Sequence, residues 1–257
     1  MRVRPGWLVA VAVFLAYDFL TFAIWRVVGA DYTDLVSEHV VLRRLVLPLA
    51  IGAMFTASVV TALGWWRPAM SERVRATPRG TLWAMLAGLA LLFTSQAATI
   101  QWHGFTGRHL GMLAAAGVLV GFNEELVARG VLVTGLRAGG RPEKWVWFWS
   151  LLLFGGMHVA NAFAGLAWYA ALVQGVFAFL TGTGFYVLRR ASGTLLLPMA
   201  AHAVWDFLSF GLEAGDASPA VPLMLLPVTF VISLVAVAAI LRQDAPRGPP
   251  QGEPPVD

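Results

Sequence analysis

Two adjacent glutamates, Glu124 and Glu125, stand in an otherwise apolar segment, and Arg129 follows four residues after the second of them. Neighbouring residues of an α-helix point about 100° apart, whereas residues four apart lie on one face. We therefore expect Glu125 to pair with Arg129 and Glu124 to face a cavity between helices. A carboxylate in such a low-dielectric cavity can act as a general base near neutral pH. The alternative is a buried ion network with a purely structural role.

Two histidines stand in similarly apolar surroundings further along the chain. Phe154 precedes His158 by four residues, and His202 precedes Asp206 by four. Each pair therefore shares one face of its helix. In the second pair, we expect the carboxylate of Asp206 to fix the tautomer of the His202 imidazole. An imidazole near a carboxylate can orient a water molecule or donate to developing negative charge, and both steps occur in peptide hydrolysis.

The composition indicates where such residues must lie. Of the 257 residues, 58% are hydrophobic and only 12% are charged, and the mean hydropathy is +0.72. This excludes an ordinary soluble fold and predicts an all-α polytopic membrane protein, a bundle of about eight transmembrane helices around a buried polar site. The chain has no cysteine, which excludes disulfides, thiolate zinc sites and cysteine nucleophiles.

Apolar blocks of about 20 residues mark the candidate spans. They cover residues 7–28, 45–66, 81–100, 110–132, 145–162, 166–188, 194–210 and 220–241. Most arginines fall between blocks on the side that carries the N-terminus, so both termini are predicted to be cytoplasmic. We treat residues 1–242 as one transmembrane domain and expect residues 243–257 to form a disordered cytoplasmic tail. Basic residues placed in this way indicate no nucleic-acid partner.

The depth of the polar residues in this topology tests whether they share a site. At about 1.5 Å per residue, Glu124 lies roughly 12 Å from the cytoplasmic end of its helix, His202 roughly 14 Å and His158 roughly 20 Å. The topology was drawn from the arginines, so this agreement is independent of it. Charged groups at mid-bilayer cost several kcal/mol, which makes these residues functional candidates.

Asp18 is a further acid inside a predicted span. It follows Tyr17, as in one half of the aspartyl intramembrane protease signature, but Gly184 is followed by Phe185 and not by the aspartate of the other half. We therefore interpret Asp18 as a structural or cavity-lining residue. No His-Glu-x-x-His segment occurs, so the sequence does not support a zinc metalloprotease of that type.

Three motifs follow one another on successive predicted helices: Glu-Glu-x-x-x-Arg, Phe-x-x-x-His and His-x-x-x-Asp. In this order they resemble the motifs of the CPBP family of intramembrane proteases. That family includes the type II CAAX prenyl endopeptidases and bacterial bacteriocin-processing or immunity (Abi-like) proteins. The resemblance covers about residues 80–210. Asp206 stands where the family has asparagine or aspartate.

The resemblance implies an intramembrane endopeptidase that hydrolyses a peptide bond in a membrane-associated peptide or protein. Glu124 would be the general base and His158 would help to hold the attacking water. His202 with Asp206 would polarise the scissile carbonyl or stabilise its oxyanion. The remaining motif residues would support the site structurally: Glu125, Arg129 and Phe154. We expect no cofactor; the alternative is a zinc ion bound by Glu124, His158 and His202.

Two other functions could use the same residues. One is a non-catalytic bacteriocin-immunity or membrane scaffold protein, in which they form only a buried network. The other is a proton-coupled transporter, which is less favoured because we find no internal repeat. Lys144 is the only lysine among 18 basic residues, which is typical of a GC-rich bacterial genome. We therefore expect a bacterial cytoplasmic membrane and do not favour prenylated substrates.

Overall fold

The computed structural model describes residues 2–72, 79–215, 217–218 and 220–243. These residues form ten α-helices: α1 (Trp7–Val28), α2 (Leu47–Leu63), α3 (Trp66–Met70), α4 (Arg79–Thr99), α5 (Gly107–Glu124), α6 (Val133–Ala138), α7 (Glu143–Val159), α8 (Trp168–Ser192), α9 (Leu196–Ala214) and α10 (Ala220–Gln243). Two π-helical segments lead into α2 and join α5 to α6, namely Leu42–Val46 and Glu125–Leu132. The described part of the chain contains no named β-strand.

Seven helical segments of the described residues are long and apolar enough to cross a membrane. They are Trp7–Val28, Leu42–Leu63, Gly80–Thr99, Gly107–Ala138, Glu143–Ala164, Trp168–Ser192 and Ala220–Gln243. The predicted all-α polytopic membrane fold is therefore confirmed. The orientation of the termini and the bacterial membrane remain predictions.

The predicted span 194–210 corresponds to α9, which is not among these seven segments. Its sequence includes His202, Asp206 and Glu213, and their polarity lowers its mean hydropathy. The helix nevertheless packs extensively along α5. A helix whose polar residues face a neighbouring helix can remain in an apolar bundle, because those residues are kept from the lipid.

Two glycines bring α5 and α9 into close contact. A Cβ atom at Gly121 would lie only 2.5 Å from the carbonyl oxygen of Met199, and one at Gly117 only 2.6 Å from that of Ala203. Small residues let membrane helices approach to backbone contact. This contact brings His202 on α9 next to Glu124, the last residue of α5, and to Glu125, which follows it.

A similar contact joins α7 to α8. A Cβ atom at Gly155 would lie 2.7 Å from the carbonyl oxygen of Gly175, and one at Gly175 would lie 2.5 Å from a methyl carbon of Val159. The close approach brings α7, with His158 near its end, against α8.

Partly buried ion pairs connect helix ends at one end of the bundle. Arg137 in α6 binds Glu72 at 2.7 Å and Glu143 at 2.5 Å. Arg190 in the last turn of α8 binds Glu143 at 2.9 Å. Glu143 also accepts a hydrogen bond from Tyr186 of α8. These pairs fix α6, α7 and α8 relative to one another.

The predicted tail begins one residue too early, because Gln243 is the last residue of α10. Residues 244–257 lie outside the described residues. The disordered tail therefore stays a prediction.

Candidate active site

The two adjacent glutamates lie at a change of helix type. Glu124 is the last residue of α5, and Glu125 opens the π-helical segment that ends at Leu132. A π-helix has i→i+5 hydrogen bonds, so its side chains are rotated relative to those of an α-helix, and such segments are frequent at functional sites. Asn123 holds this end of α5 against α2, since its side-chain amide donates to the carbonyl oxygen of Leu49 at 2.8 Å. The glutamates therefore project from a well-anchored backbone.

Glu125 and Arg129 form the ion pair that their spacing suggested. Oε1 of Glu125 lies 3.0 Å from Nη1 of Arg129, and the exposed fraction of both side chains is 0%. The guanidinium lies over the ring of Phe154, 3.8 Å from its centroid, in a cation–π arrangement. Gly182 of α8 leaves room for this group, because a Cβ atom there would collide with Nη2 of Arg129.

The imidazole of His202 lies between two carboxylates, because Glu125 binds one ring nitrogen and Asp206 lies near the other. Nδ1 of His202 donates to Oε1 of Glu125 at 2.9 Å. Oδ2 of Asp206 instead lies 3.4 Å from the other ring nitrogen, Nε2. The spacing on α9 gave no indication of Glu125, because this residue comes from the π-helical segment after α5. The tautomer and the orientation of the His202 ring are thereby set from a second helix.

Glu124 faces both histidines without a direct hydrogen bond to either. Its Oε2 lies 3.8 Å from Nε2 of His202 and 4.0 Å from Nε2 of His158. Nδ1 of His158 donates to the carbonyl oxygen of Phe154 at 2.9 Å, which directs Nε2 toward the carboxylate. Oε2 of Glu124 is buried and has no hydrogen-bond partner among the described residues. These separations are too long for a hydrogen bond, but a single water molecule can bridge them.

Phe185 of α8 is a site residue that the sequence analysis did not identify. Its ring stacks on the imidazole of His202, with centroids 4.6 Å apart and an angle of 22° between the planes. Phe154 also packs edge-on against His158, with centroids 4.8 Å apart. An apolar residue in an apolar span carries no sequence signal for such a contact. Only the packing of α8 against α9 reveals it.

The polar groups line one cavity of about 340 Å³ between α1, α5, α7, α8 and α9. The structure brings the residues of all three motifs together around it: Glu124, Glu125, Arg129, Phe154, His158, His202 and Asp206. Asp18 of α1 is half-buried and lines the same cavity, in agreement with its interpretation as a cavity-lining residue. The cavity combines carboxyl groups and two imidazoles with apolar walls, and groups of this kind can support the hydrolysis of an amide.

A zinc ion would require a tighter arrangement of these groups. With zinc–ligand bonds of about 2.0–2.1 Å, neighbouring ligand atoms of a tetrahedral site lie roughly 3.3–3.4 Å apart. The carboxylate oxygen of Glu124 lies 3.8 and 4.0 Å from the two Nε2 atoms. Within the described ranges, no group of three or more His, Asp or Glu residues is arranged to hold a metal ion. The side chains as placed do not fit zinc.

Comparison with known protein families gives a match. Residues 106–208 match the family model described as Type II CAAX prenyl endopeptidase Rce1-like. No curated protein and no solved structure matches the chain significantly. The matched segment runs from the start of α5 through Asp206 and contains all three motifs. The match therefore rests on the region that builds the cavity.

Proposed function

We propose that this chain hydrolyses peptide bonds with a water molecule that Glu124 activates. Residues 106–208 identify it as a member of the CPBP family of CAAX-type proteases. The family match and the apolar helices make it an integral membrane protein and a peptide hydrolase with a peptide or protein substrate. One observation supports the assignment of roles. Oε2 of Glu124 lies 3.8 Å from Nε2 of His202 and 4.0 Å from Nε2 of His158.

In the first step, a water molecule in this gap donates one proton toward Glu124. Nδ1 of His158 already carries the proton donated to Phe154, so Nε2 has a free lone pair and accepts the second hydrogen bond from the water. The oxygen lone pairs of the water are then free to attack the scissile carbonyl carbon. Glu124 takes the proton as the new carbon–oxygen bond forms.

The carbonyl oxygen becomes an oxyanion in this step and needs a hydrogen-bond donor. Nδ1 of His202 is already committed to Glu125 at 2.9 Å, so the ring can donate to an oxyanion only through a protonated Nε2. Asp206, whose Oδ2 lies 3.4 Å from that nitrogen, stabilises this protonated form electrostatically. In this role His202 is an imidazolium held by a carboxylate near each ring nitrogen.

In the last step, the tetrahedral intermediate collapses and the carbon–nitrogen bond breaks. Glu124 returns its proton to the leaving nitrogen, so the products are a carboxyl group and an amine. The arrangement of Glu124 and the two histidines does not fit zinc, and the proposed steps accordingly involve none.

Comparative mass spectrometry of the host's membrane proteome tests this proposal. The native gene is replaced by the Glu124→Gln variant, and terminal peptides of membrane proteins are compared. We expect at least one uncut precursor to accumulate in the variant. The matched control is Glu38→Gln, an exposed glutamate outside the catalytic cavity, which should leave processing intact. Normal processing by an inserted Glu124→Gln protein would instead support the immunity or scaffold function.

A further inference from the structure

A second cavity lies beside the catalytic one, between α4, α8, α9 and α10. Its volume is about 580 Å³, within the range of roughly 300–1,000 Å³ that is usual for ligand-binding pockets. Its walls are mainly apolar and include the buried side chains of Leu92, Leu212 and Leu226. No step of the proposed hydrolysis uses this space.

The two cavities adjoin each other. Four residues line both of them, namely Phe177, Trp205, Ser209 and Glu213. Ser209 follows His202 by seven residues on α9, a distance of about 10 Å along the helix axis at about 1.5 Å per residue. An extended peptide advances about 3.3 Å per residue. A substrate held at His202 would therefore reach the second cavity about three residues from the scissile bond.

Gln96 of α4 gives this apolar cavity a buried polar group. The residue is only 4% exposed and lines the cavity. Its Nε2 donates a long hydrogen bond of 3.4 Å to the hydroxyl of Ser209. Its Oε1 is buried and accepts no hydrogen bond from any of the described residues. A buried carbonyl oxygen without a donor is unfavourable in an apolar environment, and a ligand with an N–H group would satisfy it.

The free acceptor distinguishes between two kinds of occupant. A lipid hydrocarbon chain would fill the apolar space but offers no donor to Gln96. An extended peptide carries one N–H group for each residue other than proline. A peptide segment therefore satisfies both the apolar walls and the polar group.

We propose that the second cavity is a subsite for the substrate peptide. It binds a large apolar side chain about three residues from the scissile bond, while a backbone N–H of the same segment donates to Oε1 of Gln96. The assignment rests on the proposed peptidase function, because the cavity shares a wall with the catalytic one. Gln96 is in this view a specificity-determining residue without a part in the chemical steps.

Photo-crosslinking tests the binding without cleavage. The probe is a pool of octapeptides of randomised sequence, acetylated at the N-terminus and amidated at the C-terminus, each with one photoreactive benzoyl-phenylalanine. The pool is added to the full-length Glu124→Gln variant in detergent. We expect label on peptides that contain Leu223 or Leu226 of α10, both of which line the cavity. Adding Gln96→Leu should lower the labelling at least fivefold. The matched control, Gln101→Leu, changes an exposed glutamine and should have no effect.

The proposal is overturned if the peptides label only other parts of the protein. It is also overturned if a diazirine fatty acid labels these two leucines and the peptides do not, since the cavity would then bind lipid.

Cleavage-site profiling of the wild-type protein with the same randomised peptides, lacking the photoprobe, gives a second test. We expect a preference for large apolar residues about three positions from the cut. Leu223→Trp should fill the cavity and reduce this preference about tenfold. Met224→Trp, at a 76% exposed neighbour outside the cavity, is the control. An unchanged preference in Leu223→Trp would overturn the subsite. Crosslinking in the cavity without any cleavage would instead refute the proposed hydrolysis, while the second cavity would still be shown to bind peptides.

Discussion

Nδ1 of His202 lies 2.9 Å from Oε1 of Glu125, the same oxygen that pairs with Arg129 at 3.0 Å. One carboxylate oxygen therefore neutralises a buried guanidinium and orients an imidazole of the candidate site. Outer hydrogen-bond partners of this kind fix the tautomer and direction of a ring. The ion pair that stabilises the helix is thus directly connected to the group proposed to stabilise the oxyanion.

Removing Arg129 should destabilise the protein strongly. Arg129→Met leaves Glu125 buried and without its cation, and breaking such a pair costs about 3–5 kcal/mol. The double variant Arg129→Met with Glu125→Gln should lose less stability than the sum of the single variants, because it leaves no unpaired buried charge. Unfolding in mixed micelles measures these differences. The control Arg26→Met, at an exposed arginine of α1, should change the free energy of unfolding little. Additive losses in the double variant would argue against coupling between Arg129 and Glu125.

A methyl group at the α5–α9 contact should separate the glutamates from His202. Gly121→Ala introduces a Cβ atom 2.5 Å from the carbonyl oxygen of Met199, so the helices must move apart. We expect a loss of about 1–3 kcal/mol in stability and a marked loss of cleavage. Gly111→Ala on the same helix is the matched control, because its Cβ would meet nothing within 4 Å. Equal activity of the two variants would show that the close approach is not needed for catalysis.

Loss of the ring stacked on His202 should lower turnover more than substrate binding. Phe185→Leu keeps an apolar side chain but removes the flat surface 4.6 Å from the imidazole. The imidazole of His202 is then free to change its orientation. We expect kcat to fall about tenfold with little change in KM, because the orientation of this ring contributes to binding of the transition state. Kinetics with a cleavable peptide measure both constants. Phe19→Leu, which is 75% exposed, serves as the control, and a change confined to KM would contradict the orienting role.

Asparagine should replace Asp206 better than an apolar residue does. In the wild type, Nε2 of His202 lies 3.4 Å from Oδ2 of Asp206. Asp206→Asn keeps a polar group at this place and adds an amide N–H that can donate to an oxyanion. We expect cleavage within about tenfold of the wild type, whereas Asp206→Leu should lose about a hundredfold or more. Initial cleavage rates distinguish the variants. Equal rates in both would remove Asp206 from the proposed mechanism.

Metal chelators should leave the activity unchanged. The groups around Glu124 are 3.8–4.0 Å apart, wider than the ligands of one zinc ion. We therefore expect cleavage by purified protein to survive long incubation with 1,10-phenanthroline, with no zinc found by elemental analysis. Its non-chelating isomer, 1,7-phenanthroline, controls for effects of the compound itself. Inhibition that added zinc reverses would refute the metal-independent mechanism.

Much of the fold and of the site follows from local pattern. Long apolar blocks predict membrane helices because the bilayer requires them, and seven of the eight predicted spans recur as membrane-competent segments. The pairing of Glu125 with Arg129 follows from helix geometry alone, since residues four apart share a face. The order of the three motifs was enough to predict the family that residues 106–208 match.

Contacts between helices were decided only by the tertiary structure. Spacing on α9 predicted that Asp206 lies beside the ring of His202, but it gave no sign that Glu125 binds Nδ1 of that ring from another helix. The stacking of Phe185 and the second cavity around Gln96 have no counterpart in any local pattern. The physical reason is that such contacts depend on how closely helices approach and how they are rotated. Here glycines set the approach and a π-helical segment sets the rotation, and neither is expressed in the periodicity of a single helix.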